Sequence, residues 1–420
     1  MSTPFIQSFR LAFNSLRANL GRAGLTTLGI VIGIASVIIV FSAGEGIRGL
    51  VLGQIETFGT NILETEIKVP SGKKGFASDQ QSGTAIAQGV QITTLTLDDM
   101  EDINKLPNIK ASYAGILTQD QASYGSEFRK VFLLGTNASY EDIDKSEVEY
   151  GRFFTDVEDK SLAPVVVLGS KMKEKLFGQS DPVGQGVKIH KSKYTVIGVM
   201  KSRGAVMGMD FDDFIYIPVR TLQKKIMGIN YVFYMIHELK DMNLADETAE
   251  EVRRVVRGNH NITDPNKDDF RVVTMAEMME MLGTVTGAIT LLLLAIVAIS
   301  LVVGGVGVMN VMYAAVSERT AEIGLRKAVG ARFRDIMWQF LAESILVTVM
   351  GGIIGVTIGV LISALISFGA RSFGLDWKFA VPLRSFAVAI VFSIIFGILF
   401  GLYPARKAAR LNPVEALRYE

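Results

Sequence analysis

The side chains that could do covalent or metal chemistry are few, and they do not converge. There is no cysteine, which excludes disulfides, thiolate catalysis and Cys-based metal sites. The three histidines, His190, His237 and His260, are scattered through one polar region. His237 opens "HELKD", which is not the H-E-x-x-H of a zinc-binding helix. No G-x-x-x-x-G-K-[ST] phosphate loop occurs; "LGSKMKEKLFG" has Gly-Ser-Lys without that spacing. The glycines of "GGVGVMN" sit in an apolar run, where they serve close helix contact better than phosphate binding. A catalytic constellation is therefore not expected in this chain.

The richest charged pattern is "SERTAEIGLRKAVGARFRD", residues 317–335, wedged between two strongly apolar stretches. Ala321, Leu325, Ala328 and Val329 fall on one helical stripe. Arg319, Glu322 and Arg326 lie on another, with Glu322 and Arg326 in the favourable i,i+4 order. Gly330 reads as a C-terminal cap, and a second helix starts near Arg332. Mixed charge on a short amphipathic helix fits a protein surface of complementary charge better than anionic lipid. The competing reading is a solvated turn between two spans.

The elements that hold this segment follow from where charge is missing. Of the 420 residues, 49% are apolar, and net charge is only +1, so bulk charge points to no nucleic-acid partner. Mean hydropathy is +0.33, high for a soluble chain. Charge is absent between Arg22 and Glu45, between Glu280 and Glu318, from Ser344 to Ala370 and from Ser385 to Ala405. A membrane helix needs about 20 apolar residues to cross about 30 Å of hydrocarbon. Four transmembrane helices are expected, over 22–44, 283–316, 336–368 and 385–405. The first run exceeds the usual signal-peptide core of about 7–15 residues, so it is read as an anchor. Helix two reads as unbroken from about Met275 to Ala315, roughly 60 Å and about twice the hydrocarbon thickness. Its surplus, with Met275, Met278, Met279 and Leu282 as an apolar stripe, is expected to form a stalk beside a continuation of helix one.

Basic residues set the orientation. Arg10, Arg17 and Arg22 precede span one; Arg319, Arg326, Lys327, Arg332 and Arg334 follow span two; Arg406, Lys407, Arg410 and Arg418 end the chain. With four spans these segments share a side, which the positive-inside rule makes cytoplasmic. Arg371, Lys378 and Arg384 in the short 369–384 loop are a milder counter-signal. Residues 1–21 read as an interfacial amphipathic helix, with Phe5, Phe9, Phe13, Leu16 and Leu20 at helical spacing. The segment 317–335 is then a cytoplasmic loop, and 406–420 a cytoplasmic tail. Residues 45–282 form a large extracytoplasmic α/β domain. In it "APVVVLG", "YTVIGVM" and the alternating "DFIYIPV" read as strands, and "LTLDDMEDINKL" and "ADETAEEVRRVVRG" as helices. "VPSGKKGFASDQQSGTAIAQG" reads as a loop.

The spans carry small-residue spacing: Gly29 and Gly33, then Gly351, Gly355 and Gly359, then Gly397 and Gly401. Such faces let helix backbones approach closely, within one chain or across a dimer. Asn310 is a candidate interhelical hydrogen bonder. Glu343 is either a functional intramembrane acid or a residue snorkelling to the cytoplasmic edge.

Several of these stretches together resemble a family. "SERTAEIGLRKAVGARFRDIMWQFLAES", with "GGVGVMNVM" before it, is similar to the loop after span two in MacB-like and FtsX-like permeases of ATP-binding-cassette (ABC) systems. "NSLRANLGRAGLTTLGIVIGIASVIIVFSAGEG" resembles the family's first span, and "YPARKAARLNPVEALRYE" its tail. The order of one span, a large outer domain and three further spans is also the family's. The resemblance implies porter-like and sabre-like parts in the outer domain. It makes 317–335 a coupling-helix loop, in which Glu318, Arg319, Glu322, Gly324, Arg326 and Lys327 would meet an ATPase. That ATPase is expected on another polypeptide, which would bind the ATP and Mg; no cofactor is expected in this chain. The implied role is mechanotransmission in the cell (inner) membrane, for export or extraction of a drug, peptide or lipid-linked molecule. A second permease copy, homodimeric before heterodimeric, and an extracytoplasmic adaptor are the further implied partners. The rival reading is an FtsX-like division scaffold that activates an extracellular enzyme.

Overall fold

The computed structural model describes residues 20–57, 61–69, 92–206, 209–373, 375 and 377–417. The leader 1–21 and the loop at 69–89 fall almost wholly outside those residues. The chain forms two compact units, one of residues 1–50 and 282–420, the other of 51–281.

The membrane unit is helical. It comprises most of α1 (Leu20–Thr57), most of α5 (Met275–Glu318), and α6 (Thr320–Ala328), α7 (Phe333–Ser372), α8 (Leu383–Arg410) and α9 (Pro413–Leu417). Helices α1, α5, α7 and α8 are long and apolar enough to cross a membrane. Each exceeds the segment expected to span, and α5 runs 44 residues without interruption. The glycines decide who touches whom. A Cβ on Gly29 would fall 2.5 Å from Gly304 Cα, and one on Gly33 2.4 Å from a Leu301 methyl, so this face of α1 lies on α5. Cβ atoms on Gly355 and Gly359 would meet Ile34 and Ile38 at 2.9 and 2.8 Å, setting α7 against α1. Gly397 and Gly401 of α8 close on Ile345 and Ser344 of α7, where Ser344 Oγ donates to Gly397 O at 2.9 Å. Gly351 is buried on the same α7 face. Contacts this short between backbones are open only to glycine. Asn310, by contrast, is exposed and makes no cross-helix hydrogen bond among the described residues; Val306 and Val303, about one and two turns earlier on α5, are exposed as well.

The second unit is mixed α/β, with helices α2 (Leu97–Ile103), α3 (Ser170–Phe177) and α4 (Ala245–Asn259). Its strands are β1 (Ile62–Ile67), β2 (Ile109–Tyr124), β3 (Glu127–Thr136), β4 (Val148–Gly151), β5 (Val165–Leu168), β6 (Gly186–Ile189), β7 (Ser192–Met200), the short pair β8 (Ala205–Val206) and β9 (Met209–Asp210), β10 (Phe214–Pro218), β11 (Tyr234–Leu239) and β12 (Phe270–Thr274). The first half of β2 completes an antiparallel sheet in the order β12-β1-β11-β2. Its second half pairs with β3 and β6, and β6 also pairs with β7. Strands β2, β3, β10, β5, β7 and β6 thus close into a six-stranded ring. Ile116, Leu133, Val166, Val187, Val196 and Ile215 are fully buried in its core.

Helix α4 buries Thr248, Ala249, Val252 and Val256, the helical period that the sequence shows. Helix α2 starts at a capping box, where Asp99 Oδ2 accepts from Thr96 N at 2.7 Å. "DFIYIPV" alternates like a half-buried strand, yet all five residues of β10 are buried. β10 lies between β3 and β5, with Phe132 and Phe211 against Phe214, and Tyr140 and Phe153 against Tyr216. A strand covered on both faces has no solvent side for its pattern to report.

Candidate coupling site

Helix α5 passes into α6 through a single residue. Arg319 leaves helical geometry (φ −106°, ψ 20°), but its N–H still donates to Ala315 O at 3.2 Å and its carbonyl accepts from Ile323 N at 3.0 Å. Thr320 Oγ1 donates back to Ser317 O at 2.9 Å, a bond that bends helices. Helix α6 stops where Gly330 adopts φ +103°. Gly330 N donates to Lys327 O and Ala331 N to Arg326 O, at 3.1 and 3.0 Å, which is the Schellman arrangement. Two residues later Asp335 Oδ2 accepts from Arg332 N at 2.9 Å and opens α7.

The faces of α6 are the inverse of what burial of its apolar stripe would give. Ile323 and Gly324 are buried, whereas Ala321, Leu325, Ala328 and Val329 are exposed, Leu325 to 57% and Val329 to 82%. The inner face packs on α9: a Cβ on Gly324 would sit 2.8 Å from Ala416 Cβ. Lys327 Nζ donates to Ala409 O at 2.9 Å and also to Leu411 O, occupying carbonyls left open at the end of α8. Val414 and Leu417 of α9 add exposed apolar surface.

The six residues that the resemblance assigns to an ATPase contact therefore divide. Glu322 is exposed and pairs with Arg326 at 2.5 Å, a surface pair worth a few tenths of a kcal/mol. Glu318 is exposed at the end of α5. Gly324 and Lys327 face α9 and the end of α8. Arg326 also donates to Gln339 Oε1 of α7 at 2.7 Å, and Arg319 Nη1 to both oxygens of Glu343 at 3.2 and 3.4 Å. Gln339, Ala416 and the α8 carbonyls gave no signal in the sequence, because their partners are far away along it; Lys327 and Leu411 are 84 positions apart.

The other titratable groups stay apart. His190 lies 3.1 Å from Asp120. His237 is fully buried between Thr65 Oγ1 (3.1 Å) and Ser112 Oγ (2.7 Å), and burial pulls its pKa down to about 3. Ser112 Oγ donates to Asn104 Oδ1 at 2.6 Å, so His237 Nδ1–H donates to Ser112 and Nε2 accepts from Thr65. For His260 burial opposes the charge, but hydrogen bonds to Asp269 (2.8 Å) and Asp99 (3.4 Å) outweigh it and raise the pKa to about 9. Among the described residues no cluster of His, Asp or Glu could hold a metal ion.

Comparison with known proteins identifies this arrangement. The family profile of the MacB-like periplasmic core domain matches residues 23–255, and that of the FtsX-like permease C-terminal region matches residues 294–413. The macrolide export ATP-binding/permease protein MacB of Bdellovibrio bacteriovorus is 37% identical over 99% of this chain and 62% of its own length. The pyoverdine export ATP-binding/permease protein PvdT of Pseudomonas entomophila is 35% identical over 99% of this chain and 60% of its own. The chain thus spans about three-fifths of the curated relatives it matches. The solved periplasmic region of MacB from Actinobacillus actinomycetemcomitans is 20% identical, covering 56% of this chain and 97% of that one, with a TM-score of 0.46. This chain is a multi-pass membrane protein and belongs to the family of MacB-like, FtsX-like ABC transporter permeases.

Proposed function

We propose that this chain is the mechanotransmitting permease of an export or extraction machine, driven by an ATP-binding domain that docks on the outward face of α6. The observation that carries this reading is the exposed stripe Ala321, Leu325, Ala328 and Val329. It sits on a helix whose opposite face is fastened to its own chain and whose start is one residue from α5. An apolar centre with charged neighbours such as Glu322 is the composition of a protein-docking surface. Helix α5 follows β12 without a loop and reaches α6 unbroken, so displacement at α6 has a continuous helical path to the α/β domain.

In this reading α6, α9 and both chain termini are cytoplasmic, and the α/β domain lies outside the inner membrane. ATP and Mg sit on the ATP-binding partner, and two permease copies work together, with an adaptor meeting the outer domain. Macrolides and pyoverdine, the exported compounds in the relatives' names, are the substrates to test first. The test is purification of the tagged full chain from native membranes. Wild type should bring down an ABC-type ATPase, and Leu325→Asp with Val329→Asp should lose it while the α/β domain keeps its protease resistance. Absence of any ATPase with wild type, or its retention at wild-type yield with the double variant, overturns the proposal.

A further inference from the structure

We infer that Glu343 is a positioning residue for coupling: it holds Arg319, the one residue between α5 and α6, and so makes α7 move with the coupling helix. This rests on the docking role of α6 proposed above. Arg319 is the only break in helical geometry between Met275 and Ala328, so it is where α6 can change its angle to α5. Its guanidinium is turned inward to Glu343, with side chains 23% and 11% exposed respectively. One turn earlier on α7, Gln339 accepts from Arg326. Arg319 at the hinge and Arg326 about two turns on thus meet two acceptors about one turn apart on α7, in antiparallel order.

A carboxylate in a membrane-spanning helix is costly unless paired, and the pair costs less than either charge left alone. Nothing about spanning the membrane requires an acid at this place in α7. Its geometry gives it a different use. With Arg319 held, rotation of α6 about the hinge drags the first turns of α7. With Arg319 released, only the bond from Arg326 to Gln339 still ties the α6 side chains to α7, and the drag on α7 weakens. Arg319 therefore acts within the chain rather than on the partner, which leaves the outward face of α6 as the docking surface.

The full chain with its co-purifying ATPase, reconstituted in nanodiscs, tests this. This sequence has no cysteine, so an introduced thiol is the only one it carries, and the same labelling of the complex without an introduced cysteine gives the background from the ATPase. Spin labels at Thr320→Cys, which lies off the docking stripe, and Ile353→Cys report the α6–α7 distance. In a separate preparation, a thiol reagent on Ser180→Cys reports the α/β domain, with ATP and orthovanadate as the trigger. For Glu343→Gln we expect ATPase affinity within about twofold of wild type, a broadened α6–α7 distance distribution, and an ATP-dependent change at Ser180 reduced about tenfold. The exchange Arg319→Glu with Glu343→Arg should restore the narrow distribution and at least half of the Ser180 response. Wild-type behaviour of Glu343→Gln in both labels overturns the inference. So does loss of ATPase affinity together with the response, which would make the pair part of docking. If Glu343→Gln does not fold, the exchange variant decides: folded, ATPase-bound and still uncoupled, it also overturns the inference. Failure of wild type to bind any ATPase would instead remove the docking proposal.

Discussion

Replacing Gly29 should separate α1 from α5, and the size of the effect follows from the crossing geometry. A Cβ at Gly29 would lie 2.5 Å from Gly304 Cα and 3.2 Å from Gly304 N. Carbon atoms settle at about 3.5–4.0 Å, so the shortfall is about 1–1.5 Å. The obstructing atoms are backbone and cannot rotate aside. The helices must move apart, which loosens Ile30 and Ile34, both fully buried in the bundle core. Overpacking of this kind costs about 1–3 kcal/mol, with Gly29→Ala at the lower end and Gly29→Val at the upper. Gly304→Ala meets Gly29 C at 2.6 Å and should cost as much as Gly29→Ala. Gly283, earlier on α5, is the control. A Cβ there would meet nothing within 4 Å, so Gly283→Ala should stabilise by up to about 1 kcal/mol through helix propensity. Thermal unfolding of the full chain in one detergent, followed by near-ultraviolet circular dichroism, should give the order Gly283→Ala, wild type, Gly29→Ala, Gly29→Val. A Gly29→Val chain that melts with wild type, or a Gly283→Ala chain that loses as much as Gly29→Ala, would refute the crossing.

Other expectations follow from single contacts. Leu282→Pro removes a hydrogen bond inside α5 and should cost about 3 kcal/mol or more locally; ATP hydrolysis by the bound partner should persist while the response at Ser180 is lost, and an unchanged response would show that α5 is not the transmitting element. His260 has a folded-state pKa of about 9 against 6.5 when free, so its contribution is complete below about pH 6.5 and is lost as pH rises through 9. Amide exchange in α2 and α4 should therefore accelerate between pH 7 and pH 9.5 beyond the intrinsic rate, by no more than about 3 kcal/mol, and His260→Gln should flatten that dependence. Arg203→Met strands the buried Asp144 carboxylate, with which Arg203 forms an ion pair, and should destabilise the α/β domain by about 3–5 kcal/mol in denaturant melts; adding Asp144→Leu should recover most of the loss. In intact cells an impermeant thiol reagent should label Ser180→Cys and spare Ala328→Cys, and equal labelling would overturn the proposed orientation.

The spans were legible because crossing a membrane imposes a local rule: a long run without charge. The helical period of α4 and the glycine cap after α6 are likewise local, and Val252, Val256 and Gly330 show them within a few residues. What stayed hidden depends on partners distant in sequence. The spacing of Gly29 and Gly33 names a face of α1 but not its neighbours, which are Gly304 and Leu301. Closure of the ring rests on β6 pairing with both β2 and β7, and four residues of strand carry no mark of two partners. The stripe at Leu325 and Val329 was visible, but not its direction, because the cover on the other face comes from Ala416 and the end of α8. The partners of Arg319 and Lys327 within the chain stayed hidden for the same reason: Glu343 and Leu411 lie far along it.

Photo-cross-linking in native membranes bears on whether the outward face of α6 is where the ATP-binding partner docks, across the membrane from the α/β domain. A photoreactive residue is placed at Leu325, at Val329 or at Ser180 of the full chain, and adducts with the co-purifying ATPase are identified by mass. Adducts are expected from Leu325 and Val329 and none from Ser180. Adducts from Ser180, or none from Leu325 and Val329 while the ATPase still co-purifies, would contradict docking on α6.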